Sequence, residues 1–322
     1  MSGPGGLRLG LAVLATVHLG ALGAGFLAPY PPAEQNRMLP YAPPSRLHFV
    51  DAAGRFHLRP FVYAEDGAEP HPVRFFVQDD SHLRLFGVDE PARLFLLGTD
   101  GFGRDQLSRL LHGAQISLFA GLLATALSLG VGWVLGTLAG FYGRWLDAFV
   151  MRAAEVFLAL PWLYLLFAVR AVLPLHVSAA QAFLMLVLVI GLVDWARPAR
   201  LVRGVVLSAR ERNYVLAARG FGASDLYLIR RHIAPQTLGL VLTQAALLVP
   251  QYILAEVTLS FLGLGVSEPV PSWGNMLAAL QRYDVLTSYW WMWIPGLALV
   301  PVFLAYFALS EALHARVGPV SM

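Results

Sequence analysis

A helical, polytopic membrane fold with a small β-rich insert on its outer side is predicted by three observations. The 322-residue chain is 57% hydrophobic and only 13% charged, about half the charge that a soluble domain carries. Its apolar residues gather in six stretches, each near the ~20 residues that a helix needs to cross a hydrocarbon core of ~30 Å. Between Tyr41 and Leu97 the pattern changes to short alternating runs punctuated by proline, which is the mark of strands.

The apolar stretches are 9–27, 116–141, 149–175, 179–196, 238–261 and 290–309. The first follows Arg8 and has small residues at 20–24, as a cleavable leader would, but its length favours a retained anchor. The third carries Arg152, Glu155, Pro161 and Arg170, so its ends belong in the interface and its apolar centre is short. Arginine assigns the sides. Between Trp195 and Gln236 there are eight arginines against Glu211 and Asp225, which places that loop in the cytoplasm. The arginine-containing loop 28–115 is longer than ~60 residues, where the positive-inside rule loses its hold. Trp290, Trp291 and Trp293 form an aromatic belt at the outer end of the last stretch. Six spans with both ends inside satisfy these constraints.

In the outer loop, 47–50 and 55–59 read as a hairpin around a turn at 51–54, with 74–78, 82–87 and 93–98 as further strands. The expected organisation is an N-terminal span at 1–28, the extracytoplasmic insert at 29–97, and a five-helix membrane domain at 98–322 with a cytoplasmic loop at 197–236. His48, His57, His71 and His82 lack the close pairing of a zinc site and read as solvated loop histidines. No metal or cofactor is expected.

Composition also excludes chemistry. All 23 basic side chains are arginine, so neither a Walker A lysine nor a Schiff-base amine exists in this chain. There is no cysteine and hence no thiolate chemistry. A net charge of +3 gives no footprint for nucleic acid.

Three places carry candidate function. In "ERNYVLAARGFGASDLYLIRRHIAP" (211–235), Tyr214, Ala217, Ala218 and Phe221 share one helical face. Small alanines flanked by aromatics suit a partner's surface. Gly222 permits the positive φ that ends a helix, Ser224 is the next N-cap, and Pro235 marks re-entry into the membrane. The same stretch also reads as a helix lying on anionic lipid through Arg212, Arg219, Arg230 and Arg231. In "GTDGFGRD" (98–105), the glycines could suggest a phosphate loop, but Asp100, Arg104 and Asp105 better suit a charged network capping the second span. Glu256 lies 21 residues after Pro235, ~31 Å along a helix. That is the outer interface, where it reads as a gate or partner contact, or as a solvated helix end. Asp194 and Arg197 read as an ion pair.

Three segments resemble a known family. "LLGTDGFGRDQLSRLLHGAQISL" (96–118) is similar to the segment entering the second span of the dipeptide, oligopeptide and nickel branch of binding-protein-dependent ABC importer permeases. "NYVLAARGFGASDLYLIRRHIAP" (213–235) resembles their cytoplasmic EAA loop, E-A-A-x3-G-x9-I-x-L-P, and "ILAEVTLSFLGLGVSEPVPSWGNML" (253–277) continues the likeness. Leu216 stands where the pattern has glutamate; Ala217, Ala218, Gly222 and Pro235 keep their places; His232 takes the isoleucine position and Ala234 replaces the leucine. The resemblance implies a type I ABC importer permease (MetI-like) fold. It further implies Gly98, Thr99, Asp100, Gly103, Arg104 and Asp105 as an outer-face motif and Tyr214, Leu216, Ala217, Ala218, Phe221, Gly222, Ile233 and Pro235 as the ATPase-coupling loop. The implied partners are a second permease, two cytoplasmic ATPase subunits, an extracytoplasmic solute-binding protein and the lipid bilayer of the inner (cell) membrane. Hydrolysis of ATP would then belong to another subunit. The alternatives are a self-sufficient secondary transporter and a membrane scaffold acting through its insert.

Overall fold

A computed structural model describes residues 4–64, 67, 69–78, 83–172, 174 and 177–317. Among these, three helices are long and apolar enough to cross a membrane: Gln106–Tyr142, Asp225–Phe261 and Trp290–Ala315. Two further pairs qualify only jointly. Helices α4 (Arg144–Ala159) and α5 (Trp162–Val172) meet at 92°, and α6 (Ala179–Val193) and α7 (Ala196–Arg210) at 46°. The stretch 149–175 is therefore bent rather than straight. Pro161 explains the break, because the residue before a proline is pushed out of the helical region, and Leu160 is extended at φ −87°, ψ 138°. The N-terminal stretch forms α1 (Pro4–Leu22) and a short α2 (Ala24–Leu27).

The chain forms two compact units. One comprises residues 1–14, 119–259 and 301–322. Its packing relies on small residues. Along α3 (Gln106–Tyr142), Gly132, Gly136 and Gly140 lie one turn apart on the face that meets α7. A Cβ at Gly136 would stand 2.4 Å from the Ala199 carbonyl oxygen, so only glycine allows this approach, as in other membrane helix pairs. Arg203 on α7 then clamps Asp147 on α4 with two bonds of 2.5 and 2.6 Å. Gly10 of α1 meets the Ala305 backbone on the helix Ile294–Val317.

The other unit comprises 15–118 and 260–300. Its described residues include five strands: β1 (His48–Val50), β2 (Phe56–Tyr63), β3 (Pro70–Pro72), β4 (Arg74–Gln78) and β5 (Leu83–Gly87). The first three form an antiparallel sheet in the order β1-β2-β3, and β4 and β5 form a separate ribbon. His82, expected in the last of these strands, lies outside the described residues. The stretch 93–98 is not a strand. Its backbone donors are taken by side chains instead, Leu94 N–H by the Tyr30 hydroxyl at 2.9 Å and Phe95 N–H by Ser45 at 2.9 Å. Leu94 and Phe95 are both buried, where strand alternation would have exposed one. Trp291 is buried too, donating to the Thr99 carbonyl at 2.9 Å, and so leaves the expected aromatic belt to Trp290 and Trp293.

Candidate functional site

The 211–235 island folds as a helix, a tight turn and a second helix. Helix α8 (Asn213–Gly220) ends at Gly222, whose φ is +86°. The Gly222 N–H donates to Arg219 O and the Ala223 N–H to Ala218 O, the paired bonds of a left-handed helix stop. Ser224 then caps α9 (Asp225–Leu228), accepting from the Tyr227 N–H at 3.4 Å. Pro235 stands in the first turn of the α-helix Ala234–Phe261, as its position suggested. That helix is nevertheless continuous with α9, to which a π-helical turn over Ile229–Ile233 joins it, the Ala234 N–H donating to Ile229 O.

The underside of this element is anchored. Val215, Leu228 and Ile233 are buried against Phe141, Val202, Val206 and Ala209, and Ala218 packs on the same cluster. This changes the expected face. Tyr214, Ala217 and Phe221 look outward together, Phe221 being 93% exposed, while Ala218 turns inward to its own chain. A short helix docked through every third or fourth residue has to divide its alanines in this way. Leu216 is also exposed, as is Pro235. Sequence reasoning missed the clamp on Tyr214: its hydroxyl is bonded to Gln236, and its ring lies 5.8 Å from that of His232. Arg219 stacks over Phe141 at 5.3 Å instead of extending freely.

The outer-face motif forms one network in the second unit. Asp100 Oδ1 accepts from the Phe102 and Arg104 N–H groups at 2.8 and 3.0 Å, and its Oδ2 accepts from Arg104 Nε at 2.7 Å. Thr99 is buried, donating to Leu39 O and accepting from Ala42 N–H. Asp105 caps α3 by accepting from the Ser108 N–H at 2.7 Å and hydroxyl at 2.6 Å. Burial pushes its carboxyl up to about 6. Gly98 and Gly103 have φ of +73° and +69°. At Gly103 a Cβ would fall 1.8 Å from the Asn36 carbonyl oxygen, so the loop closes on backbone rather than on a phosphate. The sequence did not single out Glu268 or Arg109, which complete the network. Arg104 Nη1 donates to Glu268 Oε2 and Arg109 Nη2 to Glu268 Oε1 at 2.8 Å. These groups border a cavity of about 610 Å³ that Tyr41, Gln106 and Asn275 also line.

Two single residues differ from expectation. Glu256 is fully buried within its unit, so it is no solvated helix end and offers no surface for a partner in this conformation. On the same helix Tyr252, Ile253 and Ala255 are buried too, while Leu254 is exposed. Asp194 does not pair with Arg197. Its carboxylate accepts from the Tyr252 hydroxyl at 3.0 Å, at the break between α6 and α7. Among the described residues no group of three His, Asp or Glu side chains is arranged to hold a metal. His57 bonds Asp51, and His48 stacks on Phe61.

Residues 132–319 match the model of the family described as "Binding-protein-dependent transport system inner membrane component". A "Putative peptide transport system permease protein" of Brucella suis biovar 1 is 38% identical over 71% of this chain and 75% of its own length. A second protein of that organism, "Putative peptide permease protein", is 37% identical over 69% of this chain and 72% of its own. The dipeptide transport system permease protein DppC of Bacillus subtilis is 35% identical over 69% and 68%. The alternatives of a self-sufficient transporter and a scaffold are thereby set aside. The match takes in α7, the α8–α9 element and the helix that follows it, and the chain belongs to the binding-protein-dependent transport family as a membrane permease of an ABC importer, with ATP hydrolysis in a separate subunit.

Proposed function

We propose that this permease forms half of the translocation pathway for a peptide-like or related small solute, with six spans, both ends in the cytoplasm, in the inner (cell) membrane. A second permease supplies the other half. An extracytoplasmic solute-binding protein delivers the solute, and two ATPase subunits drive the cycle from the cytoplasmic side. The peptide class is supported by the names of the relatives. The spans are supported by three long apolar helices, two bent pairs and the shorter apolar helix Gly6–Leu22. Such a permease needs no nucleotide-binding lysine of its own, because it has only to present a path and a lever.

The observation that carries the reading is the outward face of α8. Tyr214, Ala217 and Phe221 project from a short helix whose other side is fixed in the core formed with Phe141 and α7. A force applied to that face is transmitted to α7 and, through Gly222 and Ser224, to the helix ending at Phe261. The π-turn and Pro235 lie at the root of that helix. The lever is thus rigid where it docks and joined directly to two spans. Rigid-body motion of packed helices is the ordinary route by which such a push reorients a pathway.

Co-purification of the ATPase with permease variants tests this. A charge at Ala217 would be desolvated without a partner in an ATPase cleft, which typically costs several kcal/mol and weakens docking about a hundredfold or more. Ala217→Asp is expected to release the ATPase while the permease still inserts. Arg212→Ala, at an exposed position, is expected to change little, since exposed ion pairs contribute ~0–1 kcal/mol. Loss of the ATPase in Arg212→Ala with retention in Ala217→Asp would instead favour a helix held on anionic lipid.

A further inference from the structure

We infer that the β4–β5 ribbon of the insert is a membrane-surface anchor whose phenylalanines enter the outer headgroup layer of the bilayer. The inference rests on reading α1 as a span, and it concerns residues that the transport reading leaves unused. Phe75 and Phe76 are 56% and 64% exposed, and Leu83 on the paired strand is also exposed. Isolated exposed apolar residues need no explanation, but a contiguous set beside a membrane helix marks an interaction surface.

The depth of this set follows from contacts inside its own unit. Gln115 Nε2 donates to the Ala21 carbonyl at 2.8 Å, so Ala21 lies level with the last polar residue before the apolar run that starts at Ile116. That level is the edge of the hydrocarbon. Phe26 lies five residues beyond Ala21, past the end of α1 at Leu22 and on the short α2, so it stands at most ~7.5 Å above that level at helical rise. Each headgroup layer is ~5–8 Å thick. The Phe26 ring therefore lies within reach of that layer, and the Phe76 ring is 6.3 Å from it.

The ribbon is held at this height by its neighbours. Strand β5 packs on α2. Arg84 Nη1 donates to the Pro29 carbonyl at 2.7 Å, tying β5 to the segment that leaves the helix. Phe76 has a φ of +58°, a conformation that costs free energy for a bulky side chain and persists where surroundings over-determine it. Phe75 and Phe76 are both exposed. Phenylalanine and leucine are side chains that surface-bound elements bury at the boundary of headgroups and acyl chains. A soluble binding protein is the competing occupant, and the test below separates the two.

The cysteine-free chain allows a direct test. Single cysteines replace Phe76, Phe75 or Leu19 in the full-length permease, each labelled with an environment-sensitive fluorophore. The labelled proteins are reconstituted in phosphatidylcholine–phosphatidylglycerol vesicles carrying nitroxide lipids, with the nitroxide either shallow or deep. Leu19, 65% exposed on α1, is the reference for a span. The expected result is blue-shifted emission at F76C and F75C, quenched by the shallow nitroxide and hardly by the deep one, while L19C, ~3 Å inside the hydrocarbon edge at helical rise, is quenched by both. Aqueous emission at both F76C and F75C, with L19C still quenched, would overturn the anchor and leave the span intact. Blue-shifted emission at F76C that appears only when a binding protein is added would equally overturn it. An unquenched L19C would remove the span and the anchor together.

Discussion

At the residue scale, Asp105 shows how burial and capping conflict. It accepts two hydrogen bonds from Ser108 at the start of α3, yet it is almost wholly enclosed, and burial raises its carboxyl to about 6. An unfolded aspartate titrates near ~3.9. Between these values the folded chain keeps a proton that the unfolded chain has released, so stability falls as pH rises and levels off above the folded value. The loss is on the order of 2–3 kcal/mol. Asp105→Asn retains an acceptor for the Ser108 N–H and removes the titration. The melting temperature of the variant relative to wild type is expected to climb from about pH 4 to about pH 6.5 and then stay level. A difference that does not change with pH would show that the carboxyl is not held protonated. Asp100, Arg104 and Asp105 were legible as a network because they are close in sequence. Glu268 was not, because it reaches Arg104 across 164 residues, and no local pattern reports such a pairing. Asp194 misled for the reverse reason: Arg197 is a near neighbour in sequence, whereas Tyr252, 58 residues away, supplies the bond.

At the scale of elements, punctuation was more legible than faces. Gly222 and Ser224 are residue types with one local use each, and the turn and cap stand where they predict. Helical periodicity placed Tyr214, Ala217, Ala218 and Phe221 together, but it cannot say which side of a short helix meets its own protein. The buried cluster around Val215 decides that, and it takes Ala218. A consequence separates the two alanines. Ala218→Asp places a carboxylate against Val215, Leu228 and Ile233, so it is expected to lower the permease's own thermal stability as well as ATPase retention. Ala217→Asp is expected to affect retention alone. Gly222→Val should behave like Ala218→Asp, since a β-branched residue resists positive φ. Equal stability of the A217D and A218D permeases would contradict the packing described here. The bend at Pro161 was foreshadowed by the proline itself. The strand at 93–98 failed because Tyr30 and Ser45, distant in sequence, had already taken its donors.

At the scale of the whole molecule, composition alone identifies a membrane protein, and the lack of lysine by itself removes ATP hydrolysis by a Walker loop. The long apolar helices follow hydropathy closely, since the bilayer imposes length and polarity on each. What hydropathy could not convey is how thin the packing is between them. The approach of α3 to α7 depends on Gly132, Gly136 and Gly140 having no side chain, a stripe visible in sequence but given meaning only by its partner helix. The central claim is that the outward face of α8 converts ATP hydrolysis elsewhere into movement of these spans. ATP-driven uptake of a labelled peptide into proteoliposomes tests it most directly, using the assembled permeases and ATPases with binding protein supplied outside the vesicles and ATP within. The account predicts uptake with the wild-type chain, none without ATP, and none with Ala217→Asp in a permease that remains folded and inserted. Uptake that continues with Ala217→Asp at the wild-type rate, or that proceeds without ATP, would contradict it.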